Sequence, residues 1–155
     1  MEKEQLKRIF EFLEEKEEHN KPLKLKLIFN EPLTEEDLDV KVGLDLHMCK
    51  NITSLPEGLK VGGFLSLRNT NITSLPKDLK VGGDLYLLKT PITFLPKGLE
   101  VGGYLDIRYT KITSLPKGLK VGATLFIENT ALLEYTNNEL REMIKPGFIK
   151  GDIIR

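Results

Sequence analysis

Along most of the chain the apolar residues fall on a fixed frame. Residues 61–80 are VGGFLSLRNTNITSLPKDLK, residues 81–100 VGGDLYLLKTPITFLPKGLE, and residues 101–120 VGGYLDIRYTKITSLPKGLK. A fourth copy opens at 121 as VGATLFIENTALLEYTNNEL and then drifts, so the period is 20 residues with no slippage through the centre. The template is V-G-G-x-L-x-[LI]-x-x-T-x-I-T-x-L-P-x-x-L-x. Leu65 and Leu67 lie two apart, so on a strand they share one face and point inward. Ile72, Leu75 and Leu79 follow after a turn, and Pro76 excludes a helix through that stretch. The pair Gly82-Gly83, lacking Cβ atoms, permits a sharp corner into the next strand. A single copy cannot bury its own apolar row. Stacked copies can, which predicts a solenoid with a parallel sheet on one side and extended or 3₁₀ turns on the polar, Pro-containing side.

The frame continues backwards with small irregularities. Val40, Leu44, Leu46 and Cys49 match the V, L, L and T columns, and Ile52 arrives one residue late. Leu25, Leu27, Asn30 and Leu33 repeat that order, so the first strand leucines of six units would be Leu25, Leu44, Leu65, Leu85, Leu105 and Leu125. The combination L-x-L-x-x-N/C/T-x-I/L with x-x-L-P-x-x-L resembles the leucine-rich repeat, in its short bacterial subtype with Leu-Pro in the variable half, over roughly residues 23–140. The resemblance implies an α/β solenoid of short parallel strands. The chain departs from the family in one column, which holds Thr70, Thr90, Thr110 and Thr130, preceded by Cys49 and Asn30, where Asn is usual. A Thr hydroxyl turned onto the backbone of the tight turn weakens that ladder without removing it.

A stack of coils has two open apolar ends that need covers. Leu6, Ile9, Phe10 and Leu13 fall at helical spacing and predict an amphipathic helix over about residues 2–18, a cap on the first coil or, alternatively, a partner-binding helix. Glu14, Glu15, Glu17 and Glu18 make its distal end polar. Thr136 is placed to N-cap a short helix through Leu140 and Met143 that ends at Pro146-Gly147. Residues 148–154 then predict a terminal strand that protects the last coil or the sheet edge, with self-association through that edge as the alternative. The expected organisation is a capping helix over 1–22, repeats over 23–135 and a C-terminal cap over 136–155, all within one domain.

Whereas the inward columns barely change between units, the outward ones change completely. Between the two strand leucines stand Lys26, Asp45, Ser66, Tyr86, Asp106 and Phe126. Before them stand Lys24, Gly43, Phe64, Asp84, Tyr104 and Thr124, and after them Ile28, His47, Arg68, Leu88, Arg108 and Glu128. Phe64, Tyr86, Leu88, Tyr104 and Phe126 would therefore share a concave sheet face with Arg68, Asp84, Asp106 and Arg108. Large apolar groups facing water, accompanied by Arg, make a candidate partner-binding surface. Cross-strand packing alone is the other explanation of such aromatics.

The chain has 155 residues with 23 basic and 23 acidic side chains, which fits one soluble domain and excludes a nucleic-acid binder driven by bulk charge. The charge is uneven, however. Residues 50–122 hold eleven basic and five acidic side chains, a net of +6. Lys77, Lys97 and Lys117 form one row and Lys60, Lys80 and Lys120 another, broken by Glu57 and Glu100. Rows of Lys without interleaved aromatics predict a solvated face before they predict a phosphate contact. The N-terminus has no uninterrupted apolar stretch that would mark a signal peptide, and no segment is long enough to span a bilayer.

Catalytic patterns are not found. Cys49 is the sole cysteine, which forbids an intramolecular disulfide and points to a reducing compartment. Asp45, His47 and Cys49 are close in sequence, but the frame puts Asp45 and His47 outward and Cys49 in an inward, buried column. His19 falls at the end of the charged helix, and two His with one Cys have no metal-ligand spacing. The Gly-Gly pairs precede strands rather than helices, so they are not phosphate cradles. Some bacterial proteins with similar Leu-Pro repeats carry a separate ubiquitin-ligase domain with a catalytic Cys, for which this chain is expected to have neither room nor residues. The expectation is a monomeric, cofactor-free and metal-free module, not an enzyme, that binds a protein partner. It would act in the cytoplasm or be delivered into a host cytoplasm. The second reading is an effector or mobile-element inhibitor that blocks a host machine such as a defence nuclease, and nucleic-acid contact through the Lys rows is third.

Overall fold

In the computed structural model, which describes residues 4–9, 11 and 21–155, each period contributes two short parallel strands rather than one. Numbered in chain order, β1 (Asp39–Val40), β3 (Lys60–Val61), β5 (Lys80–Val81), β7 (Glu100–Val101), β9 (Lys120–Val121) and β11 (Phe148–Ile149) form one sheet in that order. The second sheet runs β2 (Leu44–Asp45), β4 (Leu65–Ser66), β6 (Leu85–Tyr86), β8 (Leu105–Asp106), β10 (Leu125–Phe126) and β12 (Ile153–Ile154). The segment Thr34–Arg155 is thus a β-solenoid with about 20 residues per turn. The second sheet is the one the leucine spacing predicts. The first was missed because a Lys-Val pair is too short to show alternation. Lys60, Lys80 and Lys120 accordingly lie on strands and not on an irregular half.

Register is perfect across the stack: Leu65, Leu85, Leu105 and Leu125 are successive partners, and Ile153 completes the row. Between the sheets, Leu65, Leu67, Ile72, Leu85, Leu87, Ile92, Leu105, Ile107 and Ile112 are all fully buried. At roughly 1.5–3 kcal/mol for each such side chain, these rows dominate the folding energy.

Two backbone devices close each turn. The corner glycines are required by the approach of neighbouring coils, not by unusual φ. A Cβ on Gly102 would sit 1.9 Å from the Gly82 carbonyl oxygen, and one on Gly82 would sit 2.3 Å from that of Gly62. In this column only the terminal coils carry a side chain, Lys41 and Lys150. After each inward strand pair the chain turns through a left-handed residue: Met48, Asn69, Lys89, Tyr109 and Asn129 all have φ between 54° and 60°. The next residue locks the turn. Thr70 Oγ1 donates to Leu67 O at 2.7 Å, and Thr90, Thr110 and Thr130 do the same to Leu87, Ile107 and Ile127. The Thr column thus acts within its own coil. Cys49 holds this position in the earlier coil, but it is half-buried, not buried as the frame predicts.

The C-terminal end departs from the repeat. Thr136 caps α2 (Asn137–Met143) in a full capping box with Glu139, after which β11 and β12 extend both sheets by one strand. In the first sheet each coil's carbonyls accept from the next coil, as Val101 O does from Gly122 N and Gly103 O from Ala123 N. The corresponding oxygens of the last coil belong to Ile149 and Gly151. Among the described residues no backbone N–H of a further coil reaches them. Arg141 reaches back from α2 and donates Nη1 to Ile149 O and Nη2 to Gly151 O, so one guanidinium stands in for two missing backbone N–H groups. Arg155 similarly donates to Leu133 O and Tyr135 O, at 2.6 and 2.7 Å.

The preceding unit, which ends at Leu33, corrects the expected first coil. Leu25 and Leu27 lie in a helix, α1 (Leu23–Phe29), not on a strand. Leu and Lys are strong helix formers, so the LKLKL alternation does not impose a strand. Asn30, at φ 53° and ψ 43°, ends the helix in a left-handed cap, and Glu31 N donates to Lys26 O. Lys26 is buried at 4% exposure and so presents no outward column residue. Residues 4–9 and 11 are helical, in line with the predicted helix. Phe10, Leu13, Glu14, Glu15, Glu17, Glu18 and His19 lie outside the described residues.

Candidate partner-binding face

The outer face of the second sheet is made by the residues that alternate with the buried leucines. Phe64 and Tyr104 are its most open aromatics, at 43% and 45% exposure. Arg68, Asp84, Tyr86, Leu88, Arg108 and Phe126 are half-buried. Asp106 corrects the expectation. It is 1% exposed, so it is a support of the face and not a contact group.

Two clusters organise these side chains. In the first, Tyr86 Oη donates to Asp84 Oδ2 at 2.9 Å, while Asp84 Oδ1 accepts from Tyr104 N at 2.7 Å. Asp84 therefore ties two coils and holds the Tyr86 ring. Burial pushes the Tyr86 phenol upward from its ordinary pKa, and the bond to Asp84 adds to this, so the hydroxyl remains a donor. The Arg68 guanidinium lies on the Tyr86 ring, 3.9 Å from its centroid. In the second cluster, Arg108 donates Nε and Nη2 to Asp106 at 2.9 and 2.8 Å, a bidentate pair. Glu128 stands 3.7 Å from Arg108 Nη1. The Asp106 bond holds the Arg108 pKa above its ordinary value. Phe126 meets Tyr104 edge to face with centroids 6.0 Å apart, and Arg108 sits 5.4 Å from the Phe126 centroid.

Arg68 and Arg108 occupy the same column two coils apart, yet their situations are opposite. Arg108 has Asp106 beside it on the strand; Arg68 has Ser66. Among the described residues no carboxylate pairs with Arg68, and its Nε is buried without a hydrogen-bond partner. An unmade bond at a buried donor costs about 1–3 kcal/mol. Nothing in the sequence pattern shows this contrast except the Ser-for-Asp exchange itself.

The remaining predicted features are less organised. Asp45 Oδ1 accepts from His47 N at 2.9 Å, and the His47 ring meets Asn69 Nδ2 at 3.5 Å, while Cys49 Sγ lies 3.8 Å from His47 O. Among the described residues no cluster of His, Cys, Asp and Glu could hold a metal ion. Nor is any described helix long and apolar enough to cross a membrane. On the first sheet Lys120 pairs with Glu100 at 2.5 Å, and a shallow groove of about 330 Å³ runs past Gly82, Gly102 and Gly122 between Lys80, Lys150 and Phe148. Lys77, Lys97 and Lys117 are exposed turn residues. The sequence reading passed over Tyr109, whose hydroxyl lies 3.5 Å from Glu128, and Phe94, 56% exposed. Both fall outside the strand columns, and only an aromatic ring where the other coils have none could have marked them.

Compared with known proteins, the chain matches no family model, no curated protein and no solved structure.

Proposed function

We propose that the protein is a non-catalytic binding module of leucine-rich-repeat type that grips a protein partner with the outer face of its second sheet. The observation that carries this reading is a run of aromatic rings on adjacent coils, held in place before any partner arrives. Tyr86 is fixed by Asp84 and Arg68, and Tyr104 by its strand and by Phe126, while Phe64 and Tyr104 stay open to contact. Side chains already ordered lose little entropy on docking, and aromatics with Arg are the commonest energetic anchors of protein interfaces. The partner would meet Phe64, Arg68, Tyr86, Leu88, Tyr104, Arg108 and Phe126, with Asp84 and Asp106 as supports.

In cells such a module serves as an adaptor or as an inhibitor that occupies a larger machine's surface, the second reading named above. The Lys rows are a third, weaker surface because Lys120 is already paired and the rest stand apart from the aromatic cluster. The test is affinity capture from the native cell with the wild-type chain and with Tyr86→Ala/Tyr104→Ala. Loss of the captured partner by tenfold or more is expected, with the fold retained and melting lowered by only several degrees. Retention would remove the face as the binding site. A shallow salt dependence of the captured complex is expected too; a steep one would transfer the site to the Lys rows.

A further inference from the structure

We infer that Arg68 is the receptor for an acidic side chain, Asp or Glu, of the protein partner, and that this inference rests on the docking face proposed above. The chain itself contains the template. At Arg108 the neighbouring strand residue, Asp106, supplies a carboxylate in bidentate contact at 2.9 and 2.8 Å. At Arg68 the equivalent residue is Ser66, buried at 6% exposure and without a carboxylate to offer. The carboxylate that one coil provides internally is left for the partner to provide at the other.

The geometry suits that ligand. The Tyr86 ring supports the guanidinium from one side at 3.9 Å, and Tyr86 is itself anchored by Asp84. Nε is buried while Arg68 as a whole is only half-buried, so a partner's carboxylate would approach the terminal nitrogens. Asp106 takes Nε and Nη2 of Arg108 from within the strand. A planar carboxylate arriving from the partner would instead come end-on and accept from both terminal nitrogens of Arg68, which a stacked guanidinium offers and a lysine does not. Leu88 is the next residue of the same column and, half-buried, supplies apolar surface of the kind that surrounds an anchor in a protein interface. A nucleic-acid strand would need a row of cations here, yet the next cation along this column, Arg108, is already neutralised by Asp106 and Glu128.

The test follows the Nε–H resonances of Arg68 and Arg108 by NMR in the full chain at constant ionic strength. The probes are N-acetyl-glutamate amide, N-acetyl-glutamine amide and inorganic phosphate. A saturable shift of Arg68 with the glutamate probe alone is expected, with Arg108 unmoved because its place is filled. In Ser66→Asp the Arg68 signal should move toward that of Arg108 and stop responding, without loss of melting temperature. Equal shifts with the glutamine probe, a larger response to phosphate, or an unchanged response in Ser66→Asp would each overturn the inference. Should Ser66→Asp fail to fold, the wild-type comparison of the three probes decides alone. If the probes fail while Tyr86→Ala/Tyr104→Ala still releases the partner, the face stands and only its acidic anchor falls.

Discussion

The two sheets of the solenoid come from the same coils, but their outer faces follow opposite rules. On the first sheet the residue beside the buried Val is Lys60, Lys80, Glu100 or Lys120, all exposed, and each strand leads into a glycine corner. On the second sheet the residues between the buried leucines are Asp45, Ser66, Tyr86, Asp106 and Phe126, never the same in neighbouring coils. At the glycine corner backbone meets backbone, so a coil can only repeat its neighbour. Across the second sheet, contact between coils is carried by the inward leucines, and the outward positions are left free to differ. A surface that stacking does not dictate is where a specific partner can be encoded.

That contrast is most severely tested at Gly102. Gly102→Ala would drive a methyl group into the Gly82 carbonyl and is expected to cost about 3 kcal/mol or more by urea denaturation. Tyr104→Ala on the other sheet, removing a larger group, should cost about 1 kcal/mol, the worth of its edge-to-face pair. Comparable losses would abolish the distinction between a constrained and a free face.

The stack's end comes next. Arg141→Met strips the donors from Ile149 O and Gly151 O and is expected to lower stability by about 3 kcal/mol. It also exposes an acceptor edge on the first sheet, so self-association in sedimentation velocity should accompany the loss. A monomer of unchanged stability would show that the guanidinium is not what terminates the sheet.

Smaller effects sharpen the picture of the turns that join the faces. Lys89 is left-handed at φ 56°, where Asn69 and Asn129 stand in other coils. Lys89→Asn should raise stability by about 0.5–1 kcal/mol, read as a higher melting temperature, because Asn tolerates this conformation better. The smallest effect is at the C-terminal capping box. The Thr136 backbone N–H and hydroxyl donate to Glu139 and hold its carboxyl below the usual pKa of 4.5. A carboxylate whose folded pKa is depressed stabilises the fold above its unfolded value. That contribution is lost as pH falls through the folded value. Wild type and Glu139→Gln should therefore converge in melting temperature at acid pH and part above it; a constant difference would refute the linkage.

Much of this was legible in the residues. The 20-residue period, the inward Leu and Ile columns, the Thr136 cap and the outward identity of Phe64, Tyr86 and Tyr104 all follow from spacing, because a side chain's direction on a strand alternates. Leu25–Leu27 misled because alternation over so few residues fits a helix whose residues favour it. Asp106 misled because parity gives a direction, not a depth: the arginine two residues on folds over it.

What the chain's pattern determined by itself is therefore the stack: which atoms are apolar, how often they recur, and that they must be shared between coils. Tertiary structure alone decided what lies across a turn or beyond a strand's end. It closed a second sheet from Lys-Val pairs, required the glycines through carbonyls a full coil away, and gave Arg141 the place of a missing strand. It also separated two identical arginines, one satisfied and one open, since a hydrogen bond depends on distances that a linear order of residues does not contain.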